Sequence, residues 1–217
     1  MHITTKALVL RGVDYKESDR ILTLLTQEQG KLTASARGCR KKGSAIAAGC
    51  QLLAWSELVL YDYQGRWAVK EAAVERLFQG VRNDIVRLSL GCYFAEAAEL
   101  LAVEGEENTP LLSLTLNSLH ALDKMPEKPL ALVKAAFEWK AMALAGYEPM
   151  IYYNLPVGYN HYQLDRLTAY DKWFAQYTSK NQPDMYYDYR IWQYTDSGSV
   201  PGIEGKVDMN LAFLPYY

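Results

Sequence analysis

The sequence predicts a mixed architecture: a small closed barrel of five β-strands, then a block of α-helices, then an incomplete α/β tail. Three observations support this. The first 75 residues break into short β-rich runs with glycine at the turns. From Val81 to Ala145 the apolar spacing changes to a helical period. After Met150 the composition shifts, since residues 150–217 hold 12 of the 17 tyrosines but only 5 of the 23 Lys+Arg. The expected domains are therefore 1–80, 81–149 and 150–217.

The strand runs are ITTKALVLRGV, RILTLLT, GKLTASA, LLAWSELVLYDY and RWAVKEAAVE. Each is rich in β-branched, aromatic or apolar residues. Gly30 supplies one turn and Gln64-Gly65 another. Five such strands without a long helix between them fit an OB-fold, with an SH3-like barrel as the competitor. In the helical block, Ile85, Leu88, Tyr93, Ala97, Leu100 and Leu101 mark one side of a helix starting near Asp84. Asn108-Thr109-Pro110 is a start signal for the next helix, and Pro129 opens a third. Gly146 stands where a left-handed C-terminal cap belongs, with Pro149 beyond it.

In the tail, MIYY, WFAQY and IWQY read as short apolar strands. Polar loops containing Asn160, Asn181, Pro183 and Pro201 separate them. That spacing suggests parallel strands, as at the end of a larger α/β domain whose beginning is missing.

Composition narrows the function. A net charge of -2 makes no global case for nucleic-acid binding. No apolar run approaches 18 residues, so no membrane span is expected, and no secretory signal is apparent. Cys39, Cys50 and Cys92 are odd in number and form no CxxC, so neither a disulfide framework nor a tetrathiolate zinc site is expected. Reduced, mostly buried thiols in a cytoplasmic protein are the expectation.

One interval stands out locally. Between Glu28 and Glu57 there is no acidic residue, yet Lys31, Arg37, Arg40, Lys41 and Lys42 fall there. Such a patch attracts a phosphate backbone through counterion release. Tyr61, Tyr63, Trp55 or Trp67 could offer stacking faces for bases. The alternative is a solvated loop with the aromatic residues in the barrel core.

The run VDYKESDRILTLLTQEQGKLTASARGCRKKGS resembles the N-terminal domain of the bacterial recombination mediator family RecO. Tyr15, Glu17, Asp19, Leu25-Thr26, Gly30-Lys31, Ala36-Arg37-Gly38 and Arg40 match its pattern in order. The similarity extends through LVKAAFEWKAMALAGYEP, covering roughly residues 1–149. It implies an OB-fold followed by a helical domain, and no catalytic residue. It also implies DNA repair by binding and annealing single-stranded DNA, and recombinase loading with RecR and the single-strand binding protein. Arg37, Arg40, Lys41 and Lys42, with Lys31, would bind the strand. A cysteine-rich zinc module usually follows GYxP in that family. No cysteine follows Cys92 here, so no zinc or other cofactor is expected.

The tail has a second likeness. PMIYYN, YDKWFAQYT and YDYRIWQYTDSGSVPGIEGKVDMN resemble the last third of family 25 glycoside hydrolases, the Chalaropsis-type lysozymes. This suggests a chimera joined at Gly146–Pro149, with residues 150–217 a fragment of a TIM-like barrel. Asp208 would match an active-site carboxylate of that family, with Tyr152, Gln176 and Trp192 near its groove. Glycoside hydrolysis needs a positioned acid as well, and the family's Asp-x-Glu motif occurs nowhere in the chain. The expectation is therefore a non-enzymatic repair protein. The alternatives are a lysozyme remnant, with peptidoglycan an improbable ligand, or a non-functional fusion.

Overall fold

The computed structural model describes residues 2–124 and 129–213. The strands fall where the β-rich runs predict. β1 (His2–Tyr15), β2 (Asp19–Thr26), β3 (Lys31–Ala36), β4 (Trp55–Tyr63) and β5 (Arg66–Arg76) close a barrel in the order β1-β2-β3-β5-β4. β3 pairs parallel with β5 and every other pairing is antiparallel. This closure is OB-like.

β1 is buried on both faces. Ala7 and Val9 enter the barrel core with Leu22, Leu24, Leu58 and Leu60. Leu8 and Leu10 face the other way, into a second core shared with the helices. Its pairing register with β2 shifts between Val9 and Arg11, and such a bulge lets a long strand bend.

The helices are α1 (Gln79–Arg82), α2 (Ile85–Leu101), α3 (Thr109–Lys124) and α4 (Leu130–Leu144). Their ends follow local chemistry. The Asp84 carboxylate caps α2 by accepting from the Val86 and Arg87 amides. The Asn108 side chain accepts from Leu111 N at 3.1 Å. After α4, Gly146 adopts φ 83°, Gly146 N donates to Ala143 O and Tyr147 N to Met142 O. That is a Schellman cap, and it needs a residue tolerant of positive φ.

The buried face of α2 differs from expectation. Ile85 and Leu100 are 75% and 80% exposed, and the buried stripe is Gly91, Phe94, Ala95 and Ala98. Apolar residues surround this helix, so their period cannot select a face. Close packing against β1 and α3 favours its small residues, and Phe94 stacks on Phe137 of α4 at 4.2 Å.

The chain divides into two compact units, Met1–Tyr147 and Glu148–Tyr217. The second holds a four-stranded sheet of β6 (Ile151–Asn154), β7 (Lys172–Ala175), β8 (Ile191–Gly198) and β9 (Val207–Ala212). β6, β7 and β8 run parallel in chain order, as their sequence spacing suggests. β9, antiparallel to β8, adds a strand that the sequence reading lacks. Asn160 lies in a short helix, α5 (Leu155–His161), not in a loop. Asn154 starts that helix by accepting from Val157 N, and Pro156 presets its first turn. Tyr153, Leu164, Phe174 and Trp192 form the unit's core.

Candidate nucleic-acid interface

Three chain segments meet at one end of the barrel. They are the β1–β2 turn, the exit of β3 at Arg37-Gly38, and the β4–β5 turn at Gln64-Gly65. Register explains the meeting: Tyr15 pairs with Asp19, Arg20 with Ala36, and Ser35 with Ala68. Asp19 locks two of the segments together. Its carboxylate accepts from Gly38 N at 2.7 Å, and Arg40 N donates to Ser18 O at 3.0 Å. The Gly38 amide, more than any charge, holds the Asp19 carboxyl below its ordinary pKa.

Between these segments lies a groove of about 1040 Å³ across β2, β3 and β5. Lys16, Lys31, Arg37 and Arg66 line it, with Tyr15, Tyr63 and Trp67. Asp19 and Glu104 are its acidic lining residues. Glu104 arrives from the loop after α2, which bridges to Gly30 and Lys31. Gly30 has φ 58°, and a side chain there would strike the Glu106 carbonyl, so this close approach requires glycine.

The five cations expected from sequence sit in different circumstances. Lys31 lines the groove, but its Nζ donates to Glu99 O at 2.8 Å. Arg37 lines it too, with its guanidinium 5.7 Å from the Tyr63 ring centre. Arg40 is exposed and paired with Asp14 at 3.2 Å. Asp14 also accepts from Arg20 Nε at 2.8 Å, and that bond first, then the Arg40 charge, lowers its pKa. Lys41 and Lys42 are exposed in the turn-rich segment after β3 and make no ion pair among the described residues.

Of the aromatic candidates, Tyr63 is half exposed in the groove and Trp67 is partly buried against the barrel core. Trp55 packs on the helical core and Tyr61 lies near the His2 ring. Lys16, Arg66 and Tyr15 escaped the sequence reading of the basic patch. The available signal was a cation beside a tyrosine at each of two hairpin turns.

The cysteines lie away from the groove lining. Cys39 and Cys50 are buried in the barrel core, Cys92 is partly buried, and all three are free thiols. Burial raises all three, Cys50 to about 12, which suits inert packing groups. Among the described residues no group of three or more His, Cys, Asp or Glu stands together, and no helix is long and apolar enough to cross a membrane.

In the second unit, Asp208 is exposed on β9. Tyr152 OH donates to Gln193 Oε1 at 2.6 Å, and the Gln176 side chain bonds to Asp184. Trp192 is 5% exposed, with its Nε1 donating to Gln176 O, so its ring is a core element and not an open sugar platform. Trp173, which sequence reasoning did not single out, shares the exposed side with Tyr152 and bonds to Asn210.

Fold and groove together define an OB-like barrel with a cationic, aromatic face, joined to a helical subdomain. Comparison with known families is specific. Residues 1–76 match the family model "Recombination protein O N terminal" and residues 82–153 match "Recombination protein O C terminal". Similar proteins are each named DNA repair protein RecO. That of Acetivibrio thermocellus is 33% identical over 150 residues, 69% of this chain and 59% of its own. That of Alkaliphilus metalliredigens is 35% identical over 149 residues, 69% of this chain and 60% of its own. That of Heliobacterium modesticaldum is 38% identical over 144 residues, 66% of this chain and 51% of its own. The two models cover well over half of the chain, which through residues 1–153 belongs to the RecO family. The chain spans between half and three-fifths of the length of these relatives.

Proposed function

We propose that this protein is a DNA repair and homologous recombination mediator that binds and anneals single-stranded DNA through the barrel groove. The observation that supports it most is the convergence of Lys16, Lys31, Arg37 and Arg66 with exposed tyrosines on the β2–β3–β5 face. That face is the one OB-folds use for oligonucleotides. Lys41 and Lys42 extend the positive charge beside it. Their role is to screen two phosphate backbones against each other, which is what annealing requires. The family resemblance adds recombinase loading with RecR and the single-strand binding protein, in the cytoplasm. The reading assigns no catalytic residue and no metal. Fluorescence anisotropy with a labelled single strand, over a salt series, tests it, followed by annealing of two complementary strands. Tight binding that weakens with salt is expected. Binding that is absent, or indifferent to salt, would sink the proposal.

A second reading concerns residues 150–217 alone. Parallel β6, β7 and β8 in chain order suit the last strands of a family 25 lysozyme barrel, with the fusion at Gly146–Pro149 and residues 150–153 common to this likeness and to the RecO match. The segment is then a remnant. Asp208 lacks the partner acid, because Asp-x-Glu is missing from the chain. Incubation with peptidoglycan should release no reducing ends, and sustained release would overturn this view.

A further inference from the structure

We infer that Tyr15 and Tyr63 are base-stacking platforms, so that the groove selects unpaired bases and not merely phosphate. The inference rests on the proposed single-strand binding and assigns its base-reading residues. Both side chains line the groove and are about half exposed, 50% for Tyr15 and 52% for Tyr63. Half-exposed tyrosines at two turns of one groove contribute little to the core. Each ring also carries a cation: Lys16 Nζ lies 5.2 Å from the Tyr15 centre and the Arg37 guanidinium 5.7 Å from the Tyr63 centre.

A cation near one ring face restrains the ring and leaves the opposite face for a base. The same cation can reach a phosphate of the stacked nucleotide. Each tyrosine–cation pair, Tyr15 with Lys16 of the same turn and Tyr63 with Arg37 from the exit of β3, thus presents a base contact and a phosphate contact as a unit. The two units stand at opposite sides of the groove, since β2, β3 and β5 lie between Tyr15 on β1 and Tyr63 on β4 along its floor. Four strand spacings of about 4.8 Å put them on the order of 19 Å apart along the curved surface. That is room for a few nucleotides, toward the low end of the roughly 4–16 that such barrels take. A duplex keeps its bases stacked on each other and cannot offer them to either ring.

The test compares a thymidine oligomer with an abasic oligomer of equal length, which has the same phosphates and no bases. Wild type should prefer the thymidine strand. Tyr15→Leu and Tyr63→Leu should each lose roughly fivefold to a hundredfold in affinity for it, with an unchanged salt slope. Tyr15→Phe and Tyr63→Phe keep the ring face and should bind nearly as wild type, with circular dichroism confirming folding of all four. Leucine variants that bind like wild type, while wild type still binds in a salt-dependent way, would overturn the platforms and leave strand binding standing. A wild type without salt-dependent binding would overturn both.

Discussion

The double change Lys41→Ala, Lys42→Ala has an effect that can be worked from the structure. The proposed interface has seven cations: Lys16, Lys31, Arg37 and Arg66 line the groove, and Arg40, Lys41 and Lys42 follow Arg37 in the chain. Two are engaged already, Lys31 by the Glu99 carbonyl and Arg40 by Asp14. Five remain for phosphate. Each phosphate neutralised on a single strand adds about 0.7 to the slope of log affinity against log salt, so five give about 3.5. Raising salt from about 50 mM to about 200 mM should then weaken wild-type binding about 130-fold. The double variant keeps three cations, a slope of about 2.1 and only about an 18-fold loss. Anisotropy titrations at four or five salt concentrations resolve that difference. The two lysines are exposed and make no ion pair among the described residues, so folding should be unaffected. A variant slope equal to that of wild type would refute the assignment of this segment to the phosphate backbone.

Asp14→Asn removes the carboxylate that occupies Arg20 and Arg40; tighter strand binding is expected, with a slope steeper by about 0.7 for each guanidinium recruited, and unchanged binding would show that neither reaches the strand. Asp19 has a folded-state pKa below its unfolded value, so its stabilisation is present above about pH 4 and is lost as pH falls through the folded value. Asp19→Asn should therefore melt below wild type at neutral pH, with the gap closing in acid; a gap that widens below about pH 4 would contradict the assigned sign. Phe137→Ala empties a fully buried site stacked on Phe94; chemical denaturation should show a loss of about 3–5 kcal/mol, and a loss under about 1 kcal/mol would mean the helical core collapses around the gap.

The barrel strands and helix ends were legible because their causes are local. A β-rich run, an Asn-Thr-Pro start and a glycine past a helix end act over a few residues, so order of residues alone exposes them. The basic segment from Arg37 to Lys42 was legible for the same reason. The buried face of α2 was not, because its apolar residues surround the helix and only β1, α3 and Phe137 decide which of them is covered. The tail's β9 was also missed, since it exists through pairing with β8 across an intervening loop.

The sequence by itself therefore determined the order of the barrel strands and of the long helices, the RecO-like character of roughly residues 1–149 and the presence of a local positive patch. Tertiary structure alone decided which charges share a surface. Lys16 and Arg66 are fifty positions apart, and they line one groove because β3 pairs with both β2 and β5. It also decided which cations are already engaged. In the sequence Lys31 and Arg40 carry the same charge as Lys41 and Lys42, but a carbonyl on α2 and a carboxylate on β1 have engaged them. Charge is a property of the residue, whereas availability depends on whatever the fold has placed within a few ångströms of it.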